Sequence, residues 1–216
     1  MDYAAIIFDL DGTLLDTLED LADSMNAALK TGGYSVHPID AYRYFVGDGI
    51  ENLVRRALPE SSRDAATVAR GKEAMDAEYG QRWNAKTKPY PGIPELLDEL
   101  TRCKMPMAIL SNKPESFTLL TVDELLAHWT FAPIRGARPN TPRKPDPTGA
   151  LAIAEELGLS PAECLYLGDT DTDMKTATAA GMYALGATWG FRPGEELQRS
   201  GAQVLIDEPT DLLDLL

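Results

Sequence analysis

The chain has 216 residues, 44% hydrophobic and 25% charged, which suits one large α/β domain or a core of about 140 residues carrying a smaller insertion. Its 34 acidic and 20 basic side chains leave a net charge of −14, which repels a nucleic-acid backbone and argues against such a partner. No apolar run approaches the ~18 residues of a membrane span, and Met1-Asp2-Tyr3 lacks the basic start of a secretory signal. Cys103 and Cys164 form no motif and suit a reducing compartment, so the expectation is a cytoplasmic protein with no membrane partner.

In chain order, residues 3–8 (YAAIIF) form a continuous apolar run, as expected for a strand buried on both faces of a parallel sheet. Residues 16–90 then read as helical. Asp16 and Glu19 resemble a capping pair, and Leu18, Leu21, Met25 and Leu29 define one apolar helical face. Further helices are expected near 39–45, 50–58 and 63–83. Lys88-Pro89-Tyr90-Pro91-Gly92 closes this stretch with stiff Pro/Gly punctuation. Beyond it, apolar runs at 106–110 (PMAIL), 164–167 (CLYL), 182–186 (MYALG) and 203–206 (QVLI) alternate with helical patterns. One of these helices, over 150–159, should stop at Gly158. The predicted fold class is α/β: a Rossmann-like doubly wound, mostly parallel sheet core over 1–15 and 91–216. An all-α helical domain over 16–90 is inserted after the first strand.

The polar residues that follow the strands could do chemistry. Asp9 and Asp11 end the first strand two positions apart, so in extended backbone they point the same way, and Gly12 permits a tight turn. Ser111-Asn112 follows PMAIL, where a hydroxyl and backbone N–H groups could hold a phosphate. Lys144 precedes Pro145-Asp146-Pro147, with Asp146 placed to cap the next helix. Asp169 stands at the tip of CLYL and Asp173 one helical turn later. Each has a plainer reading as a cap, a turn or a solvated lysine. Ligands of open α/β sheets bind beyond the carboxyl ends of the strands, and all of these groups gather there.

With those residues in place, the sequence resembles the haloacid dehalogenase-like hydrolase superfamily. DLDGTLLD (9–16) is similar to its first motif, Ser111 to the second, Lys144 in KPDP to the third and GDTDTD (168–173) to the fourth. The helical insertion resembles the mobile cap of that superfamily. VGDGIENLVRRAL (46–58), SNKP (111–114) and GATWGFRPGEEL (186–197) most resemble phosphoglycolate phosphatases. The resemblance implies that Asp9 attacks phosphorus, forming an aspartyl-phosphate, and that Asp11 serves as acid and then base. It implies Mg²⁺ held by Asp9, the Asp11 backbone carbonyl and Asp169, with Asp173 auxiliary. Lys144 and Ser111, assisted by Asn112 and Thr13, would neutralise the transferring phosphoryl group. The implied partner is a small phosphorylated metabolite, 2-phosphoglycolate first, met by a monomer or dimer.

Other phosphosugar, nucleotide or pyrophosphate hydrolases, a sugar-phosphate mutase and a non-enzymatic phosphate-binding module are the alternatives. A loop of Gly47, Asp48 and Gly49 opening a helix is the candidate for selecting a substrate carboxylate, with Arg55 or Arg56 as electrostatic helpers.

Overall fold

The computed structural model describes residues 3–216, so the reading of the first residues as not signal-like concerns Met1 and Asp2, which lie outside the described residues. The chain runs β1 (Ala5–Phe8), β2 (Leu15–Asp16), α1 (Leu18–Thr31), α2 (Tyr42–Phe45), α3 (Ile50–Ala57), α4 (Ala65–Arg82) and β3 (Lys88–Pro89). It continues through α5 (Ile93–Arg102), β4 (Met107–Pro114), α6 (Glu115–Leu125), β5 (Ile134–Ala137), α7 (Thr148–Leu157) and β6 (Cys164–Gly168). The last elements are α8 (Asp171–Ala180), β7 (Tyr183–Ala187), α9 (Gly194–Arg199) and β8 (Val204–Ile206). Two compact units result, one of residues up to Leu15 with Pro89–Leu216 and the other of Asp16–Lys88. The return crossing falls at 88/89 rather than 90/91, because the Tyr90 N–H already bonds the Leu14 carbonyl at 3.1 Å within the α/β unit.

The α/β unit is a six-stranded sheet in the order β5-β4-β1-β6-β7-β8, with parallel pairing throughout. Numbered among themselves in chain order, the six strands read 3-2-1-4-5-6, the doubly wound arrangement whose order reverses between β1 and β6. Alternation explains the unbroken apolar run of β1. Ile6 and Phe8 join one core with Leu96, Leu97 and Leu100 of α5. Ala5 and Ile7 join the opposite core with Ala150 and Ile153 of α7 and Met174 and Ala177 of α8. Gly158 stops α7 in the left-handed conformation at φ +71°, as its position predicts.

Two local expectations need correction, and one strand was not expected. β4 does not end at Leu110 but runs on to Pro114, so Ser111, Asn112 and Lys113 are strand residues and α6 starts only at Glu115. β5 has no apolar signature, being the half-buried edge sequence IRGA. Its Gly136 is required because a Cβ there would lie 2.4 Å from the Glu115 Cα. Asp16 and Glu19 form no capping pair: Asp16 belongs to β2, and the cap residue of α1 is Thr17, without a side-chain bond.

In the helical unit, α1 buries Leu18, Leu21, Ala22, Met25, Ala28 and Leu29, the apolar face legible in its sequence. The stretch over 39–45 is a short 3₁₀ turn followed by the single turn of α2. Asp20 is buried on α1, and its Oδ2 accepts from the Lys86 N–H (2.9 Å), the Thr87 N–H (2.8 Å) and the Thr87 hydroxyl (2.7 Å). That carboxylate ties the end of the unit to its first helix. Among the described residues, no helix is long and apolar enough to cross a membrane.

Asp20→Ala strands the buried Thr87 N–H and hydroxyl, along with the Lys86 N–H, and should cost on the order of 2 kcal/mol of stability. A chemical denaturation curve with an unchanged midpoint would contradict this account of the loop.

Candidate active site

The strand order reverses between β1 and β6, and the side chains with chemical potential stand on the residues just past those two strands. Asp9 follows β1 and Asp169 follows β6, so the sheet itself delivers both carboxylates to one crevice. Carboxylate oxygens of Asp9, Asp169 and Asp173 lie within 4.8 Å of one another, and all three residues are buried. The Asp11 carboxylate is not part of that group; its Oδ1 lies 2.7 Å from the ammonium of Lys113.

Lys144 lies at the centre of the arrangement. Its Nζ is 2.6 Å from Asp173 Oδ1 and 2.8 Å from Asp9 Oδ1, with the side chain 2% exposed. The contact with Asp173 is a hydrogen bond. The contact with Asp9 is one of charge only: among the described residues, Asp9 Oδ1 has no aligned donor despite its burial. Asn112 fixes the lysine's backbone from both sides. Its side-chain nitrogen donates to the Lys144 carbonyl and its Oδ1 accepts from the Lys144 N–H, each at 3.0 Å. The Ser111 hydroxyl oxygen accepts from the Lys113 N–H at 3.2 Å.

Uncharged donors hold Asp169, and join Lys144 in holding Asp173. Asp169 Oδ1 accepts from the Thr13 hydroxyl and Oδ2 from the Phe191 N–H, both at 2.8 Å. Asp173 Oδ2 accepts from the Thr170 N–H (3.0 Å) and hydroxyl (2.6 Å), closing a capping box at the start of α8. Glycines let the backbone close on these carboxylates. A Cβ on Gly190 would stand 2.2 Å from the Asp169 Cβ, one on Gly12 2.3 Å from Asp169 Oδ2, and one on Gly168 2.3 Å from the Asp173 Cβ.

Packing so many acids out of water shifts their protonation. Burial pushes Asp9 up to about 7, with Asp173 adding to the rise and Lys144 opposing it. Burial likewise raises Asp169 well above the ordinary carboxylate value, reinforced by Asp173 and Asp9. Burial works to lower Lys144 as well, but the two aspartates outweigh it and keep the ammonium charged well above its usual range. Three crowded oxygen ligands, one of them a buried carboxylate oxygen without a donor, fit a hard divalent cation better than they fit one another.

The residues predicted for the core therefore gather at one place: Asp9, Asp11, Thr13, Ser111, Asn112, Lys144, Asp169 and Asp173. Two of them do something other than was expected of their type. The Thr13 hydroxyl is spent on Asp169 and the Asn112 side chain on Lys144. Lys113, Gly190 and Phe191 were not singled out in the sequence. Strand alternation carries a signal for Lys113, since it stands two residues beyond Ser111.

Gly47, Asp48, Gly49 and Arg55 belong to the helical unit. Gly49 is the N-terminal cap residue of α3 at φ +87°. Arg56 pairs with Asp48 and donates to the Tyr44 and Phe45 carbonyls at 3.3 and 3.2 Å, so it clamps this loop. Arg55 pairs with Glu51 at 3.0 Å and donates to the Arg63 carbonyl at 3.1 Å.

A family model described as haloacid dehalogenase-like hydrolase matches residues 6–187. The chain belongs to that family. It is similar to the phosphoglycolate phosphatase of Psychrobacter arcticus, 32% identical over 222 residues that cover 100% of this chain and 96% of that protein. It is 33% identical to phosphoglycolate phosphatase 1 of Pseudomonas aeruginosa, covering 96% of this chain and 78% of that one. Among solved structures, a Lactobacillus delbrueckii subsp. bulgaricus protein, provisionally a phosphoglycolate phosphatase, superposes with a TM-score of 0.92. It is 30% identical, over 100% of this chain and 98% of that one. As a member of this family with these relatives, the chain is an enzyme, a hydrolase of the phosphatase kind.

Gly190→Ala should displace Asp169 and the loop behind it while leaving the sheet intact. Divalent-cation affinity and turnover should fall together by roughly ten- to a hundredfold, as when the support of a ligand is lost. Wild-type cation affinity in a titration followed by calorimetry would contradict the packing argument.

Proposed function

We propose that the protein is a Mg²⁺-dependent phosphomonoesterase working through an aspartyl-phosphate on Asp9. The observation that carries the proposal is the buried Asp9 carboxylate at the tip of β1, with one oxygen lacking a donor and the Lys144 ammonium 2.8 Å away. A nucleophile needs an uncommitted oxygen, and the negative phosphoryl group it attacks needs fixed positive charge. Asp9, the Asp11 backbone carbonyl and Asp169 would hold Mg²⁺, which when bound supplies positive charge for the phosphate oxygens and keeps the buried acids ionised. Asp173, with both oxygens engaged, orients Lys144 and stands behind the first ligands.

The chain's own groups divide the reaction. Asp9 attacks phosphorus, and Asp11 gives a proton to the departing ester oxygen. Asp11 then takes a proton from the water that hydrolyses the aspartyl-phosphate. Lys144 and Ser111 offset the charge of the phosphoryl group throughout. Asn112 keeps Lys144 in place through its two backbone bonds.

For the substrate we favour 2-phosphoglycolate, on the strength of relatives bearing that name at about 30% identity over nearly the whole chain. The selecting element in this proposal is the Gly47–Gly49 loop of the helical unit, acting as a mobile cap. Gly49 opens α3 and its first N–H groups suit a carboxylate. The charge of Asp48, which would repel that carboxylate, is matched by Arg56. Arg55 is committed to Glu51 and Arg63, so the helix terminus is the better recognition element.

Phosphate release should be measured against 2-phosphoglycolate, phosphosugars, nucleotides and pyrophosphate, with Mg²⁺ and with chelator. Chelator and Asp9→Asn should each abolish turnover, and Asp11→Asn should cost on the order of 10²–10⁴-fold. Near-wild-type turnover by Asp9→Asn would sink the mechanism.

Gly49→Val forces a branched side chain into left-handed backbone at the head of α3. It should depress kcat/KM for 2-phosphoglycolate far more than for an aryl phosphate. Equal losses, or a wild-type preference for phosphosugars, would remove the substrate assignment and leave the phosphatase reading standing.

A further inference from the structure

Lys113 is a buried lysine to which no step above gives a role. It is the next-to-last residue of β4, two positions past Ser111, and its side chain is 3% exposed. Its Nζ lies 2.7 Å from Asp11 Oδ1 in a hydrogen-bonded ion pair. Burying an ammonium costs desolvation and most of the side chain's rotamer freedom, so it persists only where a partner compensates it. Three of the four carboxylates of the site are thus divided between two lysines. Lys144 contacts Asp9 and Asp173, and Lys113 contacts Asp11. Asp11 lies only two residues from Asp9, yet its carboxylate is absent from the crowded group formed by Asp9, Asp169 and Asp173. Its partner is instead the ammonium of Lys113.

We propose that Lys113 is a positioning residue that holds the Asp11 carboxylate by Oδ1 and presents Oδ2 to the leaving oxygen. The inference rests on the acid–base reading of Asp11 given above and adds to it the group that sets its geometry. Without Lys113, Asp11 is free to turn toward the cationic site that its neighbours build, where it can no longer reach the departing oxygen. Lys113 acts through Asp11 and does not itself need to touch the substrate.

Two comparisons test this. The first uses leaving groups, because kcat/KM reports the transfer of the phosphoryl group to Asp9 and not the later hydrolysis. An alkyl phosphate needs its departing oxygen protonated, whereas 4-nitrophenyl phosphate releases an oxygen that leaves as an anion. Lys113→Met should lower kcat/KM for 2-phosphoglycolate, or for glycerol 3-phosphate should the former not turn over, by about ten- to a hundredfold, a part of what a positioned acid supplies. The same variant should lose no more than about threefold on 4-nitrophenyl phosphate.

The second comparison is a double-mutant cycle with Asp11→Asn on the alkyl phosphate. A residue acting through Asp11 has nothing left to position once Asp11 is replaced, so Lys113→Met in that background should change the rate by less than about twofold. Equal losses on the two leaving groups, or losses that multiply in the cycle, would overturn the proposal while leaving the phosphatase mechanism intact. Near-wild-type turnover by Asp11→Asn would overturn both. Should Lys113→Met not fold, Lys113→Gln, which keeps a polar donor of shorter reach, is read by the same two ratios.

Discussion

The Lys144 ammonium, 2.6 Å from Asp173 and 2.8 Å from Asp9 and almost wholly shielded from water, is the interaction on which the rest of the site depends. Buried carboxylates this close repel one another and resist ionisation, so a fixed positive charge is needed to hold them in one place. Lys144 meets that need only in part. Asp9 and Asp169 remain displaced toward their protonated forms. In the proposed mechanism this residual imbalance favours a cation and then a phosphate, each of which would relieve a different part of it. A site already neutral without its ligands would have no such preference.

Holding that charge in place is the work of backbone rather than of long side chains. Lys144 stands on the loop before α7, and Asn112 fastens this loop to β4 by two bonds to the Lys144 main chain. Asp169 and Asp173 are wedged against glycine backbone at Gly12, Gly168 and Gly190, where no Cβ would fit. Close packing and short hydrogen bonds of this kind limit the rotamers open to each carboxylate, so the geometry is set before any ligand arrives. The reversal of strand order between β1 and β6 supplies the opening in which it is set.

How much of this was legible in the chain follows from the range of each signal. β1 announces itself as an apolar run because both its faces are buried. Asp9 and Asp11, read as extended and aimed at one point, lie past the end of β1, and their carboxylates part, Asp11 going to Lys113. β5 gives no such sign, since an edge strand with Arg135 and Gly136 carries neither an apolar run nor clean alternation. The end of β4 was misplaced because Ser111 and Asn112 are turn-forming residues by type and lie in an irregularity of the β4–β5 ladder, which resumes only where Pro114 pairs with Ala137. Gly190 and Asn112 act on partners 21 and 32 residues away, counted to Asp169 and Lys144. No local pattern reports such distances. The Asp16–Glu19 spacing shows the converse error, a local pattern with nothing in the fold to make it a cap.

The chemistry of the two buried lysines is also informative. A guanidinium in either place would present a rigid fork that claims both oxygens of one carboxylate. An ammonium is a compact charge with donors in three directions, so Lys144 can stand between Asp9 and Asp173 and saturate neither. In the proposed mechanism Asp9 thereby keeps an oxygen for bond making while its charge is still offset. Lys113 makes the same kind of single-oxygen contact with Asp11. In both cases the lysine offsets the charge of a carboxylate through one oxygen without claiming both, which suits the proposed nucleophile and proton carrier better than a structural anion.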